Sequence, residues 1–313
     1  MTDVELYAPG SVGEVTTGAD LASLVLEHVD LDDGDVVVLT SKVLSKAEGR
    51  VRPAGATGRD EAIADETVRV VATRGPVRIV ENRLGLTMAA AGVDASNLPA
   101  GTIATLPEDP DATARSIRTT IAERTGLNVA VLVSDTAGRA WRLGQTDIAI
   151  GLAGLAPLES FAGARDGYGN DLAVTEPAVA DEIAGAAELA SGKLGGRPLV
   201  RVRGLAGRVL PLGDHGPGAR SIIRPRELDF FASGTREAVV AALLGDRKPF
   251  GQPAGTDEVL DVLDRLGLAW SQVAGTLLVE TPDAASAQRC ALALHAYGWL
   301  ADPGVPQTRI RPE

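Results

Sequence analysis

Short apolar runs alternate with helical patterns along the chain, and together they predict a mixture of buried strands and amphipathic helices. Residues 35–40 (DVVVLT) and 128–134 (NVAVLVS) are apolar over the length of a strand, as expected for strands buried on both faces. Further strands are predicted at residues 4–7, 77–80, 86–90, 199–202 and 276–280. Apolar residues at helical spacing predict helices at residues 19–29, 59–73, 110–125, 178–191, 256–266 and 283–297. This mixture indicates the α/β class, a mixed α+β fold with mixed sheets, although irregular connections leave the strand order open.

A segment rich in Gly, Pro and charge, residues 245–255 (GDRKPFGQPAG), separates the last predicted elements from the rest. We therefore predict one domain over residues 1–244, a linker over 245–255 and a small C-terminal α/β appendage over 256–313. The sequence assigns the appendage no role, and a dimer brace, a partner-docking module and an inert cap all remain open.

Composition and charge exclude several classes of protein. Hydrophobic residues make up 45% of the chain and charged residues 23%, a profile typical of globular proteins, and no apolar run is long enough to span a membrane. The net charge of −12 argues against nucleic acid or anionic membranes as partners, because both require a basic surface. An anionic substrate would need a local concentration of positive charge. Since the N-terminus shows no signal-peptide pattern and Cys290 is the single cysteine, we expect a cytoplasmic protein without an internal disulfide.

Generic nucleotide-binding and catalytic motifs are missing from the sequence. There is no GxxxxGK[ST] motif, since Leu194 follows Gly192-Lys193 where a Ser or Thr would hold magnesium. There is also no GxGxxG motif, which makes a dinucleotide-binding Rossmann site improbable. The three histidines are isolated, and neither HExxH nor a nucleophile elbow occurs. Any active site must therefore be of a less common kind.

Polar residues that could carry chemistry follow the buried strands. Residues 41–50 (SKVLSKAEGR) offer hydroxyl and ammonium groups for phosphate oxygens, although a solvated loop could have the same composition. In the cluster at residues 91–97, Asp94 and Asn97 would also suit a turn cap. Residues 134–147 combine two Asp, two Arg, two Thr and a Gln, which could form a salt-bridged loop. Their oxygen atoms are also the ligands that Mg²⁺ or Mn²⁺ prefers, and their arginines suit phosphates or carboxylates.

Five strings in the first three quarters of the chain closely resemble the coenzyme F420-0:L-glutamate ligase family. They are TSKVLSKAEGR, ENRLGLTMAAAGVDASN, VSDTAGRAWRLGQTDIAIG, RDGYGNDLAVTEPAVADEIAGAAELASGK and PLVRVRGL. The resemblance runs in order from about residue 4 to about residue 231, and it is closest to the N-terminal ligase domain of the actinobacterial bifunctional enzyme. No string is a generic motif, so chance agreement is improbable.

The resemblance implies an F420 gamma-glutamyl ligase-type fold and a GTP- and metal-dependent enzyme, usually a homodimer. In that family the lactyl carboxylate of F420-0 is thought to be phosphorylated by GTP, and the amino group of L-glutamate then attacks the acyl phosphate. Further γ-linked glutamates can follow. The expected metal is Mg²⁺ or Mn²⁺, with a second ion and K⁺ left open. The partners implied are thus F420-0, L-glutamate and GTP.

Matched position by position, the resemblance implies Asp94 and Asp135 as metal-binding carboxylates, with Thr136 as a further ligand. The positions matched to nucleotide binding are Val12, Gly13, Glu14, Val15, Ser41, Lys46, Asn97, Ser191, Gly192, Lys193, Leu194, Gly195, Gly196, Arg197 and Pro198. Arg139 and Arg142 are candidates for substrate binding, and no catalytic residue is predicted. Where some family members have a metal-binding Gln, this chain has Lys193, a cation that leaves a second metal site open to question and could contact a phosphate instead.

The appendage departs from the long actinobacterial members, which continue into a much larger flavin-binding domain. Fewer than seventy residues follow the linker here, so no flavin is predicted. Two alternatives to the ligase remain open. The first is a non-catalytic F420-precursor-binding or regulatory homologue, which the presence of Asp94, Asp135 and Thr136 disfavours. The second is a ligase that joins a different amino acid to a different carboxylate.

Overall fold

The computed structural model describes residues 3–55, 57–229, 231–273 and 276–312. Its strands are β1 Glu5–Tyr7, β2 Val36–Thr40, β3 Val51–Pro53, β4 Thr67–Arg74, β5 Val77–Asn82, β6 Thr87–Ala89, β7 Thr102–Ala104, β8 Ala130–Gly138, β9 Gln145–Ala153, β10 Ala164–Arg165, β11 Asp171–Leu172, β12 Leu199–Arg203, β13 Trp270–Val273, β14 Thr276–Glu280, β15 Trp299–Asp302 and β16 Gln307–Pro312. Its α-helices are α1 Leu21–His28, α2 Ser41–Ala47, α3 Gly58–Glu66, α4 Pro110–Thr125, α5 Val179–Ser191, α6 Thr235–Leu244, α7 Thr256–Arg265 and α8 Ala284–Ala296. These elements confirm the predicted mixed α+β class.

The chain divides into two compact units. The first comprises Met1–Val70 and Ile79–Ile223, and the second comprises Val71–Arg78 and Arg224–Glu313. The second unit thus begins before residue 244, where the sequence placed the end of the first domain. The reason is that α6 packs within the second unit, where the Ala242 carbonyl oxygen lies 3.1 Å from Nδ1 of His295. The segment rich in Gly and Pro at residues 245–255 therefore lies within the second unit and does not mark its start.

The first unit is built on a five-stranded sheet of order β1-β12-β2-β8-β9. Strands β2 and β8 are parallel, and the other neighbouring pairs are antiparallel. Alternate residues of β2 enter two different cores, because successive side chains of a strand point to opposite faces. Val37 and Leu39 pack in a cluster with residues of α1, α2 and α4, whereas Val36 and Val38 pack in a cluster with α5. The sheet is therefore covered by helices on both faces.

Helix α4 is the element that the sequence predicted most accurately, since its bounds coincide with residues 110–125. The Asp109 side chain accepts a hydrogen bond from the Ala112 amide, and Gly126 ends the helix with φ of 77°. Arg118, fully buried in the middle of the helix, donates to four backbone carbonyls between residues 129 and 214 and to Oδ1 of Asn128. This guanidinium ties α4 to the segment around residues 210–215.

The single helix predicted over residues 59–73 is wrong. Helix α3 ends at Glu66, and the chain continues as β4, which joins β5 and β6 in a three-stranded sheet. The run from Thr67 to Thr73 (TVRVVAT) is dominated by β-branched residues, which lose side-chain freedom in a helix and pack well in a strand. The polar segment at residues 41–50 also differs from a plain loop, because most of it forms the helix α2.

Strands β8 and β9 form a long hairpin that contains one extra residue. Val133 pairs with Gly151 and Ser134 pairs with Ala149, so Ile150 has no partner of its own across the ladder. On the hairpin-tip side of this bulge, each side chain of β9 points to the face opposite to the one it would occupy if the strand alternated without interruption. The bulge thereby allows Asp147 to pair with Thr136 across the hairpin and to share its face.

The second unit contains a four-stranded antiparallel sheet of order β13-β14-β16-β15, covered by α7 and α8. Its core includes Leu263, Val279, Cys290 and Leu294, all fully buried. The predicted linker lies against this unit, since Nε1 of Trp299 donates to the Ala254 carbonyl oxygen at 2.8 Å. In the part of the chain that the structure describes, no helix is both long and apolar enough to cross a membrane.

Candidate functional site

A cavity of about 700 Å³ opens in the first unit where the parallel strands β2 and β8 end. Thr40, the last residue of β2, pairs with Ser134 of β8, and both line the cavity. The remaining walls come from residues 11–15, from the segment around Asp94 and from the chain that follows α5. The carboxyl ends of parallel strands are the usual place for ligand sites in α/β proteins, because polar loops converge there.

Most of the residues predicted for the site line this cavity. The three predicted metal ligands, Asp94, Asp135 and Thr136, are among them. The positions matched to nucleotide binding that line it are Val12, Gly13, Glu14, Val15, Ser41, Lys46, Asn97, Ser191, Gly192, Lys193, Gly196, Arg197 and Pro198. Segments far apart in sequence therefore meet at one place, while their individual binding roles stay predictions.

Four predicted residues do not line the cavity. Leu194 and Gly195 lie in the loop after α5 but are not part of the wall. Arg139 and Arg142 are exposed at the tip of the β8–β9 hairpin, where Arg139 donates to the Leu143 carbonyl oxygen at 3.2 Å. The structure therefore does not bring the two arginines together with the metal candidates.

Asp135 is the most perturbed carboxylate of the cavity. Burial raises its pKa to about 6, against the hydrogen bond that the Ser41 hydroxyl donates to its Oδ1 at 2.6 Å. The negative charges of Asp147 and Asp94 also raise the pKa, whereas Lys42 lowers it. In the described part of the chain Asp135 forms no ion pair, so its negative charge is poorly compensated inside the protein.

Asp94 is held differently, although it lines the same cavity. Lys42 forms an ion pair with it and also donates to the carbonyl oxygen and hydroxyl of Ser96 at 2.6 and 2.9 Å. Burial would raise the pKa of Asp94, but the hydrogen bonds from Lys42 and Ser96 outweigh it and lower the pKa to about 2. Lys42 belongs to the segment at residues 41–50 whose ammonium groups were predicted to suit phosphates, but its pairing with Asp94, 52 residues away, was not predicted.

A second lysine of α2 connects this helix to the first wall of the cavity. Nζ of Lys46 lies 2.7 Å from Oε1 of Glu14, and the lysine side chain is mostly buried, whereas that of Glu14 is exposed. Such a pair contributes little to stability, because the exposed carboxylate is well solvated. Its effect is to hold the ammonium group at the wall of the cavity.

Asp147 also lines the cavity, with only 4% of its surface exposed. Its two carboxylate oxygens accept hydrogen bonds from the hydroxyls of Ser134 and Thr136, each at 2.8 Å. Nζ of Lys193 donates to the Thr136 hydroxyl oxygen at 3.0 Å. Lys193 is thus placed beside a candidate metal ligand, where an ammonium group could meet a phosphate.

The charges around the cavity differ from those of the whole chain, whose net charge is −12. Five basic side chains line it, namely Lys42, Lys46, Arg59, Lys193 and Arg197. Five carboxylates also line it, namely Glu14, Asp94, Asp135, Asp147 and Glu188, so the lining is close to neutral although the whole chain is strongly acidic. An anionic substrate would therefore depend on where the individual basic groups lie and not on a net positive charge of the cavity. Arg59 was not anticipated, since nothing in the sequence connects the start of α3 with the other segments.

The oxygen ligands of the cavity can hold a divalent cation only together with ligands from outside the protein. Among the described residues there is no group of three His, Cys, Asp or Glu side chains that could hold a metal by itself. Mg²⁺ is commonly bound by only one or two protein carboxylates, with the remaining ligands from water and substrate phosphates. Asp94, Asp135 and the Thr136 hydroxyl fit that pattern, because they are hard oxygen ligands and the charge of Asp135 lacks a counter-ion.

Comparison with known proteins agrees with this geometry. The model of the F420-0:gamma-glutamyl ligase family matches residues 10–64 and 56–204 of the chain, which include all the walls of the cavity. The chain belongs to this family. The resemblance inferred from the five sequence strings is therefore confirmed.

Curated relatives of the family are matched by this chain over nearly their whole length. The coenzyme F420:L-glutamate ligase of Methanothermobacter thermautotrophicus is 39% identical over 241 residues, which are 69% of this chain and 94% of that relative. The enzyme of the same name from Haloarcula marismortui is 37% identical over 258 residues, 75% of this chain and 98% of the relative. The enzyme of the same name from Methanopyrus kandleri is 39% identical over 237 residues, which are 70% of this chain and 93% of that relative.

Proposed function

We propose that this chain is a ligase that joins the amino group of L-glutamate to the carboxylate of coenzyme F420-0, driven by GTP and a divalent cation. The observation that carries the proposal is the cavity at the ends of β2 and β8. It gathers the three metal candidates Asp94, Asp135 and Thr136 together with basic side chains, all from segments that match the family. The names of the curated relatives support the choice of F420 and L-glutamate as substrates.

The basic side chains are assigned to the phosphates of GTP. Lys46 is held at the wall of the cavity by Glu14, and Lys193 lies beside Thr136. Ammonium groups act on phosphate as compact point charges, so their fixed positions would orient the triphosphate. Backbone groups of residues 12–15 and 191–198 complete the proposed nucleotide site.

Asp94, Asp135 and Thr136 are assigned to the divalent cation. The negative charge of Asp135, which forms no ion pair among the described residues and is only partly offset by Lys42, would be neutralised there. Bound Mg²⁺ or Mn²⁺ would supply positive charge to the oxygens of the phosphoryl group during its transfer. Lys42 would keep Asp94 and the turn at Ser96 in place by its three hydrogen bonds.

The proposed reaction has two steps. In the first, an oxygen of the F420-0 carboxylate attacks the γ-phosphorus of GTP, forming an acyl phosphate and releasing GDP. In the second, the amino nitrogen of L-glutamate attacks the acyl carbon, phosphate leaves, and the nitrogen loses a proton. Catalysis of this kind consists mainly of positioning and charge stabilisation, so the protein need not supply a covalent nucleophile.

The test is incubation of the purified chain with F420-0, L-glutamate, GTP and Mn²⁺, followed by mass spectrometry. We expect a product heavier than F420-0 by one or more glutamyl residues, faster formation with GTP than with ATP, and stoichiometric GDP. Asp135→Asn should abolish most turnover. Asp181→Asn, which alters a carboxylate of α5 outside the cavity, should turn over normally.

Each alternative function predicts a different result. A non-catalytic homologue would bind F420-0 and release no GDP. A ligase for another amino acid would form a product only when L-glutamate is replaced by that amino acid. Equal rates with ATP and GTP at sub-saturating concentration would contradict the choice of GTP as the nucleotide. The homodimer implied by the family resemblance is proposed as well, and light scattering of the purified chain would test it.

A further inference from the structure

The hydrogen-bond arrangement of Ser134, Thr136 and Asp147 at the cavity wall identifies a residue that the family resemblance did not single out. Asp147 lines the cavity, and each of its carboxylate oxygens accepts one hydroxyl proton, Oδ2 from Ser134 and Oδ1 from Thr136. The geometry points to Asp147 as a positioning residue that fixes the direction of the Thr136 hydroxyl. This inference rests on the proposed function, because it assumes that a cation binds beside Thr136.

A threonine hydroxyl has one proton to donate and two lone pairs with which to accept. The Thr136 proton is committed to Oδ1 of Asp147, and one lone pair accepts from Lys193. The second lone pair remains for a ligand at the wall of the cavity, which Thr136 lines. If the proton rotated toward the cavity instead, it would repel a cation, so the acceptor behind Thr136 decides whether this oxygen can be a ligand.

The position of Asp147 agrees with such a role better than with a purely structural one. The bulge at Ile150 brings Asp147 opposite Thr136, and its burial excludes water that could otherwise accept the hydroxyl proton. Ser134 donates to Oδ2 and thereby prevents the carboxylate from turning. Groups that orient a metal ligand from behind commonly change metal affinity by about 10- to 100-fold when they are replaced.

The experiment measures the binding of Mn²⁺ to the full chain in the presence of GTP, by electron paramagnetic resonance of the free ion. Asp147→Asn keeps the shape of the side chain but removes its charge and one of its two acceptors. We expect the Kd for Mn²⁺ to rise by about 10- to 100-fold. The matched control is Asp181→Asn, a partly buried carboxylate that accepts from the Ala149 amide of β9 at 2.9 Å, and its Kd should equal that of the wild type.

A double substitution separates action through Thr136 from a general effect of charge. Thr136→Val removes the hydroxyl, so adding Asp147→Asn to it should weaken Mn²⁺ binding no further. If the two effects multiply instead, Asp147 acts on the cation directly and the inference is wrong. Thr136→Ser keeps the hydroxyl and should bind Mn²⁺ within a few-fold of the wild type, which tests the same point should Asp147→Asn fail to fold.

The outcomes also separate this inference from the proposed function. Wild-type chain that takes up Mn²⁺ while Asp147→Asn binds it equally well would overturn the positioning role alone. Wild-type chain that takes up no Mn²⁺ with GTP present would overturn the proposed metal site and the positioning role with it. If Thr136→Val binds Mn²⁺ as tightly as the wild type, Thr136 is not a metal ligand and the positioning role of Asp147 is overturned as well.

Discussion

Replacing Asp135 by asparagine should stabilise the metal-free protein at neutral pH while it abolishes turnover. The charge of Asp135 is partly buried and lacks an ion-pair partner among the described residues, and burial raises its pKa to about 6. Asparagine has nearly the same shape and can still accept the hydrogen bond from Ser41. The substitution therefore removes an unfavourable charge without removing a favourable contact.

The magnitude follows from the pKa. Raising the pKa of an aspartate from its ordinary value of 3.8 to about 6 corresponds to about 3 kcal/mol at pH values above 6. In a domain of this size each kcal/mol changes Tm by roughly 2–4 °C, so the variant should melt up to about 6–12 °C higher at pH 8. The folded wild type holds this proton more tightly than the unfolded chain does. Its stability therefore rises relative to the variant as the pH falls through 6, and the difference should vanish near pH 4.

The assay is thermal unfolding at pH 8, 6 and 4 without metal, repeated at pH 8 with Mn²⁺ and GTP. Ligands that bind only the folded chain stabilise it, so the wild type should gain under the last condition and the variant should gain little. Asp94→Asn is a control for which we expect Tm to change in the opposite direction. Hydrogen bonds from Lys42 and Ser96 lower the pKa of Asp94 to about 2 despite its burial, so its charge stabilises the fold. That variant should melt below the wild type at neutral pH. If Asp135→Asn also melts lower at pH 8, the reasoning about its buried charge is refuted.

Three further predictions concern other parts of the chain. Lys46→Met should raise the KM for GTP at least tenfold with little change in Tm, and an unchanged KM would remove Lys46 from the nucleotide site. Arg118→Met leaves several buried carbonyls without a donor, so it should lower the free energy of unfolding in urea by about 3 kcal/mol or more. Arg124→Met, on the exposed part of the same helix, is the control and should lower it by at most about 1 kcal/mol. Deleting residues 246–313 should leave measurable ligase activity, because every residue that lines the cavity precedes residue 199, and a soluble but inactive truncation would contradict this.

Elements with strong local signals could be predicted from the sequence. Helix α4 has a capping aspartate, a proline at its first position and a terminal glycine, so both ends were located. The buried strands β2 and β8 were found as apolar runs, and the polar residues after them do line the cavity. The family strings identified most of the wall, because those segments are short and specific.

The remainder depended on contacts between distant parts of the chain. Over residues 59–73 a helical spacing of apolar residues competes with a β-branched composition. The structure shows that the second half of this segment forms a strand beside β5. The hydrogen bonds of Lys42 reach across 52 residues to Asp94, which no local pattern reveals. The face that Asp147 occupies could not be read by alternation, because the bulge at Ile150 interrupts it.

That bulge also determines where the hairpin can change length. Removing Ile150 alone would leave Ala149 opposite Ser134 and Asp147 opposite Thr136, at the cost of one buried side chain. Removing Ile148 instead would carry Asp147 to the other face of the sheet, away from the hydroxyl whose proton it accepts. Natural insertions and deletions in related chains should therefore gather at Ile150 or at the hairpin tip beyond the ladder, and they should be missing between residues 145 and 149. The length of β9 before Ile150 is therefore fixed by the pairing of Asp147 with Thr136, whereas its length from Ile150 onward is fixed by the packing of the core.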